Sequence, residues 1–489
     1  MTDVTDHPPA VIDSLDPTDW DAFEHAVRQM LSASVQKMKT ASDGPVWTPP
    51  TDQLKARLDQ SMPLEGMDTQ AIAEALIELL PYGVGNTHPR FFGWVHGAGT
   101  PGNLLADIAT SAMNANCGGR DHVGIYVERQ VIDWCKALFS FPKTASGLVV
   151  SGTSMATIIA AKTARDAALA FRNRKTGLGA CTLVGYSSAQ AHSCLARAFD
   201  MIGLGTDALR AVPVHADHTL NTESLREAIA ADQAAGLLPF FLAGTAGTVN
   251  TGAIDDLAQL ARIAQDEKLW FHVDGAFGAS GITSEAVAPR LRGIEQADSL
   301  AFDFHKWMHV NYDAGCVLIR DQDLHRRAFA NRPDYLAANG RALAGGDPWP
   351  VDFGPELSRG FRALKVWAHF LEHGTQRIGD MITKNCEQAS YLGALVEGNS
   401  NLELLAPVSL NICCFRFVGD RMNEPQLDDL NAEIVAELQL QGIAAPSTTR
   451  LDGRLAIRVN LTNHRTQLTD IDMLHDAVDR LGRELSGSG

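Results

Sequence analysis

From about residue 86 onward, short apolar runs alternate with stretches whose apolar residues recur at helical spacing. Gly147 to Ser151 precedes Met155 to Ala170, Thr182 to Tyr186 precedes Ala191 to Ile202, and Pro239 to Ala243 precedes Ile254 to Asp266, with a further apolar run at Leu269 to Val273. Apolar runs this short, each followed by a helix, suit strands joined by helical crossovers and covered on both faces. The expectation is an α/β fold around a mostly parallel sheet, with chemical groups gathered at the carboxyl ends of the strands.

The flanks read differently. Trp20, Phe23, Val27, Met30 and Leu31 recur at helical spacing, Pro45, Pro49 and Pro50 interrupt, and a second helix is expected from Asp68 to Leu80. Helices without a core of their own suggest an arm over residues 1–85 that packs on another subunit. A large α/β domain is expected over residues 86–375. Residues 376–489 read as a smaller α+β domain, with strands at Val408 to Phe417 and Leu455 to Val459 and helices at Pro425 to Leu440 and Thr469 to Leu481.

Composition removes several function classes. The formal charge of −17 repels phosphate backbones, and no Lys/Arg run forms a local exception, so nucleic acid is not an expected partner. The acidic N-terminus lacks a basic segment followed by an apolar one, and no apolar run approaches the roughly 18 residues that cross a bilayer. The eight cysteines show no CxxC or zinc-finger spacing and read as reduced core residues. A cytoplasmic protein without membrane contact is expected.

The chemistry concentrates in two segments. Lys306 lies between Phe304 and Trp307, where desolvation lowers a lysine pKa towards the range in which a neutral amine attacks a carbonyl. Asp274 ends the apolar run Leu269-Trp270-Phe271-His272-Val273, and Gly275 beyond it leaves room for a flat ligand. A carboxylate so placed needs a cation or hydrogen bonds. Ser151-Gly152-Thr153-Ser154 opens a helix after a strand, an arrangement suited to phosphate but equally to plain N-capping. His192 follows the strand ending at Tyr186, and Thr248 lies in a glycine-rich turn after the strand ending at Ala243. His272, Asp274, His305 and His309 also permit a metal reading, but no HExxH or Cys/His set reinforces it, and no metal is expected.

Seven segments in order carry a resemblance: HPRFF (88–92), SGTSMAT (151–157), AHSCLARA (191–198), GTVNTGAID (247–255), FHVDGAFGA (271–279), DFHKWMHVNYDAG (303–315) and SRGFRALKVW (358–367). The chain resembles the pyridoxal-phosphate-dependent group II amino acid decarboxylases from about His88 to its C-terminus. The resemblance implies fold type I (aspartate aminotransferase-like), a homodimer with an exchanged N-terminal arm, and an active site at the subunit interface. It implies that Lys306 forms the internal aldimine with pyridoxal 5'-phosphate and that Asp274 pairs with the pyridine nitrogen. His192 and Ala276 would pack on the two faces of the ring, Thr153 and Ser154 would hold phosphate, His305 would support the lysine, and Thr248 would lie near the ring hydroxyl. Tyr335, on a lid rich in small residues, would supply the proton that replaces carbon dioxide after a quinonoid intermediate.

This sequence departs from the family in having Asp303-Phe304 where Asn-Pro commonly precedes His-Lys. It also has Trp94-Val95-His96-Gly97 where an aromatic pair, proline and threonine are common. With Trp94, His96 and His122 as candidate substrate residues, the expected reaction is decarboxylation of an L-amino acid, an aromatic one favoured. The alternatives are an acidic substrate bound through Arg120 or His122, or a same-fold aldehyde synthase or lyase.

Overall fold

The computed structural model describes residues 14–331, 340–419 and 422–487, which fall into two units. The first, within residues 1–41 and 48–84, contains α1 (Trp20–Lys39), α2 (Asp52–Leu58) and α3 (Thr69–Leu79). The side chains of Asp19, Thr51 and Asp68 each accept a backbone N–H from the first turn that follows, which fixes the three starts. These helices bury only Ala26, Leu54 and Ala73, so the unit has no substantial core of its own.

In the second unit, residues 42–47 and 85–489, the chain runs through β1 (Phe91–Phe92), α4 (Asn103–Met113), α5 (Val123–Leu138), β2 (Ser146–Val150), α6 (Thr153–Ala168), α7 (Asn173–Thr176) and β3 (Leu183–Ser188). It continues through α8 (Cys194–Met201), β4 (Leu209–Val212), α9 (Thr222–Ala234), β5 (Leu238–Thr245), α10 (Leu257–Glu267), β6 (Trp270–Asp274), β7 (Ser299–Asp303), β8 (Gly315–Ile319) and α11 (Gln322–Phe329). The remainder is α12 (Arg362–Glu397), β9 (Leu402–Leu404), β10 (Ile412–Phe417), α13 (Glu424–Leu440), β11 (Ala445–Leu451), β12 (Arg454–Asn460) and α14 (Leu468–Ser486).

Seven strands form one sheet in the order β2-β8-β7-β6-β5-β3-β4. The pairs β3–β4, β3–β5, β5–β6 and β6–β7 are parallel, whereas β8 runs antiparallel to both neighbours. The mostly parallel sheet matches the expectation from sequence. The alternation in the sequence pointed to four of these strands; β4, β7 and β8 escaped it. β4 is short and partly exposed, and β7 and β8 enter without a helical crossover of the usual length.

Register decides where the ends fall. Gly315 of β8 pairs with Val150 of β2 on one side and with Asp303 of β7 on the other. The carboxyl ends of β2 and β7 therefore lie at one edge of the sheet, together with those of β5 and β6. The second sheet, β1-β11-β12-β10-β9, takes its edge strand from residues 91–92, which pair in parallel with Ala445 and Pro446.

Arg359 and Glu128 form a buried ion pair that ties α5 to β2. The guanidinium donates to Glu128 Oε1 (2.7 Å) and Oε2 (2.8 Å), to the Cys117 carbonyl (3.0 Å) and to the Val149 carbonyl. Glu128 Oε1 also accepts the Val149 N–H at 3.0 Å. Removing one member strands the other charge away from water, which costs roughly 3–5 kcal/mol. Arg359→Met is expected to lower unfolding free energy by about that amount, measured by urea denaturation of the cofactor-free protein.

Candidate active site

Four strand ends and one helix start build the site. β6 delivers Asp274, which is 2% exposed. Its Oδ1 accepts the Ala276 N–H (3.1 Å) and its Oδ2 lies 3.7 Å from the Cys194 thiol at the start of α8. No cation among the described residues forms an ion pair with it. A buried carboxylate left in that state is complementary to a protonated ring nitrogen.

β7 delivers Asp303 and, three residues on, Lys306. Asp303 Oδ2 lies 2.7 Å from Lys306 Nζ, and Oδ1 accepts the Thr153 N–H at 2.6 Å. Burial alone would lower the Lys306 pKa, but the Asp303 carboxylate and the field of Asp274 carry it above the ordinary lysine value. The sequence context of two aromatic neighbours implied the opposite direction; the carboxylate three residues earlier outweighs them. His305 is held by the Ala314 N–H on its Nδ1 (3.0 Å), with its ring centroid 4.4 Å from that of Tyr312. Burial and the Lys306 charge keep its pKa below the usual histidine value despite Asp303.

A cavity of about 310 Å³ opens between these ends and the second sheet. It brings together Lys306, Asp274, Ala276, His192, Trp94 and His96, six of the residues singled out in the sequence. Trp94 and His96 stack at 5.6 Å, and His96 stacks on Phe91, also at 5.6 Å. Burial, then Lys306 and His305, hold the His96 pKa down, so its ring is neutral near pH 7.

Thr153 and Ser154 stand at the start of α6, beside Asp303 rather than on the cavity wall. The Thr153 hydroxyl is buried without a partner, while Ser154 is exposed. Two sequence candidates point elsewhere. Thr248 spends its hydroxyl on Thr251 Oγ1 (3.0 Å) and the Ala253 N–H (3.1 Å) within its own turn. His122 caps α5, accepting the Gly124 N–H at 3.2 Å. Arg120 lies over the Trp349 ring, 4.9 Å from its centroid. Tyr335 lies outside the described residues.

Arg458 is the cavity residue that sequence reading missed. It is 3% exposed and donates to the carbonyls of Val249 (2.8 Å), Asn250 (3.2 Å) and Trp94 (2.9 Å), and to Ser447 Oγ (3.2 Å). Its Nη2 has no partner among the described residues, and burial pushes its pKa down to about 10. A charged residue in the middle of the apolar strand Leu455 to Val459 was the available signal, because arginine is seldom fully buried unless paired.

The residues present fit a flat phosphorylated aldehyde. An amine and a buried carboxylate without a described cation share one cavity, and an unpartnered buried hydroxyl stands at the helix start beside it, joined to the amine through Asp303. The family model described as the pyridoxal-dependent decarboxylase conserved domain matches residues 50–418, and the chain belongs to that family. An aromatic-L-amino-acid decarboxylase of Bacillus atrophaeus is 31% identical over 452 residues, covering 89% of this chain and 90% of that protein. A phenylacetaldehyde synthase of Arabidopsis thaliana is 28% identical over 406 residues, covering 80% and 81%. The crystal structure of Oryza sativa TDC with PLP and tryptamine superposes with a TM-score of 0.89 at 23% identity, over 97% of this chain and all of that one, a likeness of fold. The chain is thus a fold type I, pyridoxal-phosphate-dependent carboxy-lyase acting on an amino acid.

Gly315 leaves the space in which Asp303 and the α6 start meet. A Cβ there would lie 2.6 Å from Asp303 Oδ1 and 2.6 Å from the Gly152 Cα, and backbone cannot yield cheaply. Gly315→Ala is expected to cost about 1–3 kcal/mol of stability. It is also expected to leave purified protein without the yellow colour of bound cofactor, which absorbance and thermal unfolding would record together.

Proposed function

We propose that this chain decarboxylates an aromatic L-amino acid as a cytoplasmic homodimer. The observation that carries the substrate reading is the stacked pair of Trp94 and His96 in the wall of the cavity that holds Lys306, backed by buried Phe91 behind His96. Flat apolar rings gain area burial and offset stacking against such a wall. The similarity to an aromatic-L-amino-acid decarboxylase over nine-tenths of both chains supports it.

The bound cofactor supplies an electron sink for the bond that breaks at the substrate α-carbon. Lys306 would anchor its aldehyde carbon through the side-chain amine. Asp274 holds a proton on the ring nitrogen, which keeps the sink strong. His192 and Ala276 confine the ring between two faces, and Thr153 and Ser154 take the phosphate at the α6 start. Arg458 holds the substrate carboxylate with its unpartnered Nη2, which fixes the direction of the scissile bond relative to the ring. The proton that replaces carbon dioxide comes from Tyr335, and a tyrosine there favours amine over aldehyde as product.

A second reading rests on the same guanidinium. Arg458 is the cavity's one charged donor besides Lys306 among the described lining residues, so a substrate with two carboxylates would present one of them to it. With a single free Nη2 the site serves one carboxylate, and the α-carboxylate of an aromatic substrate satisfies it.

The subunit arrangement is proposed on the arm. Residues 1–85 carry exposed Trp20, Val27, Leu31, Ile72 and Leu76, apolar surface suited to a partner copy. Residues 86–375 would form the cofactor-binding domain and 376–489 the smaller one. No described helix is long and apolar enough to cross a membrane, and the eight unpaired cysteines fit a reducing compartment.

Carbon dioxide release across tryptophan, tyrosine, phenylalanine, glutamate and aspartate tests the assignment, with ammonia and peroxide followed in the same reactions. Aromatic substrates are expected to lead and aldehyde products to be minor; preference for the acidic pair would overturn the reading. Lys306→Ala is expected to abolish turnover and to leave no cofactor fixed by borohydride. Arg458→Met is expected to raise KM by about 10- to 100-fold, the loss of one charge-assisted hydrogen bond.

A further inference from the structure

Asp303 holds two positions that the cofactor would also claim. Its Oδ1 sits on the Thr153 N–H at the start of α6, and its Oδ2 sits on the Lys306 amine. The carboxylate is 2% exposed and has little room to swing aside. Gly315 presses on it so closely that a Cβ there would lie 2.6 Å from Oδ1, while the Gly152 side is in ordinary contact, a Cβ there lying 3.5 Å away. Beside it the Thr153 hydroxyl is buried with no partner, a donor awaiting an acceptor.

We propose that Asp303 is an internal anion occupying the phosphate end of the site, so that an external dianion binds there against its charge and with proton uptake by the Asp303–Lys306 pair. This rests on reading the α6 start as the phosphate end. A helix start stabilises one negative group readily, whereas a second one a few ångströms away, in a poorly solvated place, repels the first. Confinement removes the option of rotating the carboxylate into water, so relief comes through a proton.

Among the described residues, the groups facing Asp303 leave no other cation to absorb the charge. His305 Nε2 is 3.7 Å away, but burial and Lys306 hold that ring neutral. Asp274 from β6 and Cys194 from α8 act on Lys306 from the far side, His96 is kept neutral, and Tyr312 and Cys316 are uncharged at neutral pH with raised pKa values. Lys306 itself is held as the ammonium by the pair, which agrees with its raised pKa. The consequence is a cofactor whose phosphate is retained more tightly as pH falls, and a lysine that is released for chemistry only when the pair is broken.

The test uses cofactor-free protein titrated with sulfate, a tetrahedral dianion whose own charge does not change between pH 6.5 and 8.5. Calorimetry in two buffers of different ionisation enthalpy counts the protons taken up. Asp303→Asn is expected to bind sulfate at least about tenfold more tightly than wild type at pH 8.5, with the gap narrowing towards pH 6.5 and with less proton uptake. It is expected to tighten pyridoxal phosphate more than pyridoxal, the difference reporting the phosphate end alone. Equal sulfate affinity and equal proton uptake in the two proteins would overturn the proposal. Asp303→Ser, which removes the charge with a smaller side chain, decides the same question should the amide variant fail to fold. Thr153→Val, which removes the unpartnered buried hydroxyl, separates the two layers. If it leaves sulfate affinity unchanged, the phosphate end lies elsewhere and both readings fall; if it weakens sulfate while Asp303→Asn matches wild type, only the role of Asp303 falls.

Discussion

The pairing of one short strand, β8, with both β2 and β7 is the constraint on which the site depends. Because Gly315 stands opposite Val150 and Asp303 at once, the start of α6, the end of β7 and the lysine that follows are forced to one point. A slip of one residue would turn Asp303 to the other face of the sheet and separate it from the Thr153 N–H. The absence of a side chain at Gly315 is what lets the three backbones approach. Local chemistry at Lys306 is therefore a product of strand register, not of the lysine's immediate neighbours.

The substrate end is held by a different device. Residues 91–96 leave the first part of the chain to pair with a strand more than 350 residues away, and Arg458 and Asn460 of β12 both donate to the Trp94 carbonyl. Thr462 Oγ1 donates to the His96 carbonyl at 2.9 Å. Three donors from one strand and its exit thus clamp the backbone that presents Trp94 and His96. The same guanidinium that faces the cavity helps build the wall through its contact with the Trp94 carbonyl and ties it to Val249, Asn250 and Ser447. Altering Arg458 changes both a charge and the position of an aromatic surface.

What was legible in the sequence follows from how local each signal is. The runs ending at Tyr186 and Val273 announced β3 and β6 because parallel strands are apolar on both faces, and Asp274 followed at the end of the second, whereas Lys306 stood out only through its neighbours Phe304 and Trp307. Helices α1, α3, α13 and α14 were legible from apolar periodicity and caps. β8 was not, because an antiparallel insertion after a loop breaks the strand–helix rhythm on which the reading relied. Arg458 was hidden for a related reason: its importance comes from contacts with residues 94, 249 and 447, and only one of these is near it in sequence. His122 and Thr248 show the converse. Thr248 follows a strand end and His122 lies in the polar loop before α5, yet each is spent on local hydrogen bonds, a competition between local bonding and function that spacing alone does not resolve.

The two ends of the cavity therefore tolerate change unequally. At the cofactor end, Asp274, Asp303 and Lys306 are fixed by strands buried on both faces, where a displaced backbone breaks ladder hydrogen bonds and packing together. At the substrate end, the wall is a short two-residue strand and its exit, half-exposed at Trp94 and fixed chiefly by side-chain donors to carbonyls. Side-chain donors can be exchanged without dismantling a sheet. If residues 94–96, 447–448 and 458 meet the substrate as proposed, they can change while Asp274, Asp303 and Lys306 stay anchored. Asp303 is the exception at the rigid end, since its charge alters how the anchor is loaded without moving a strand.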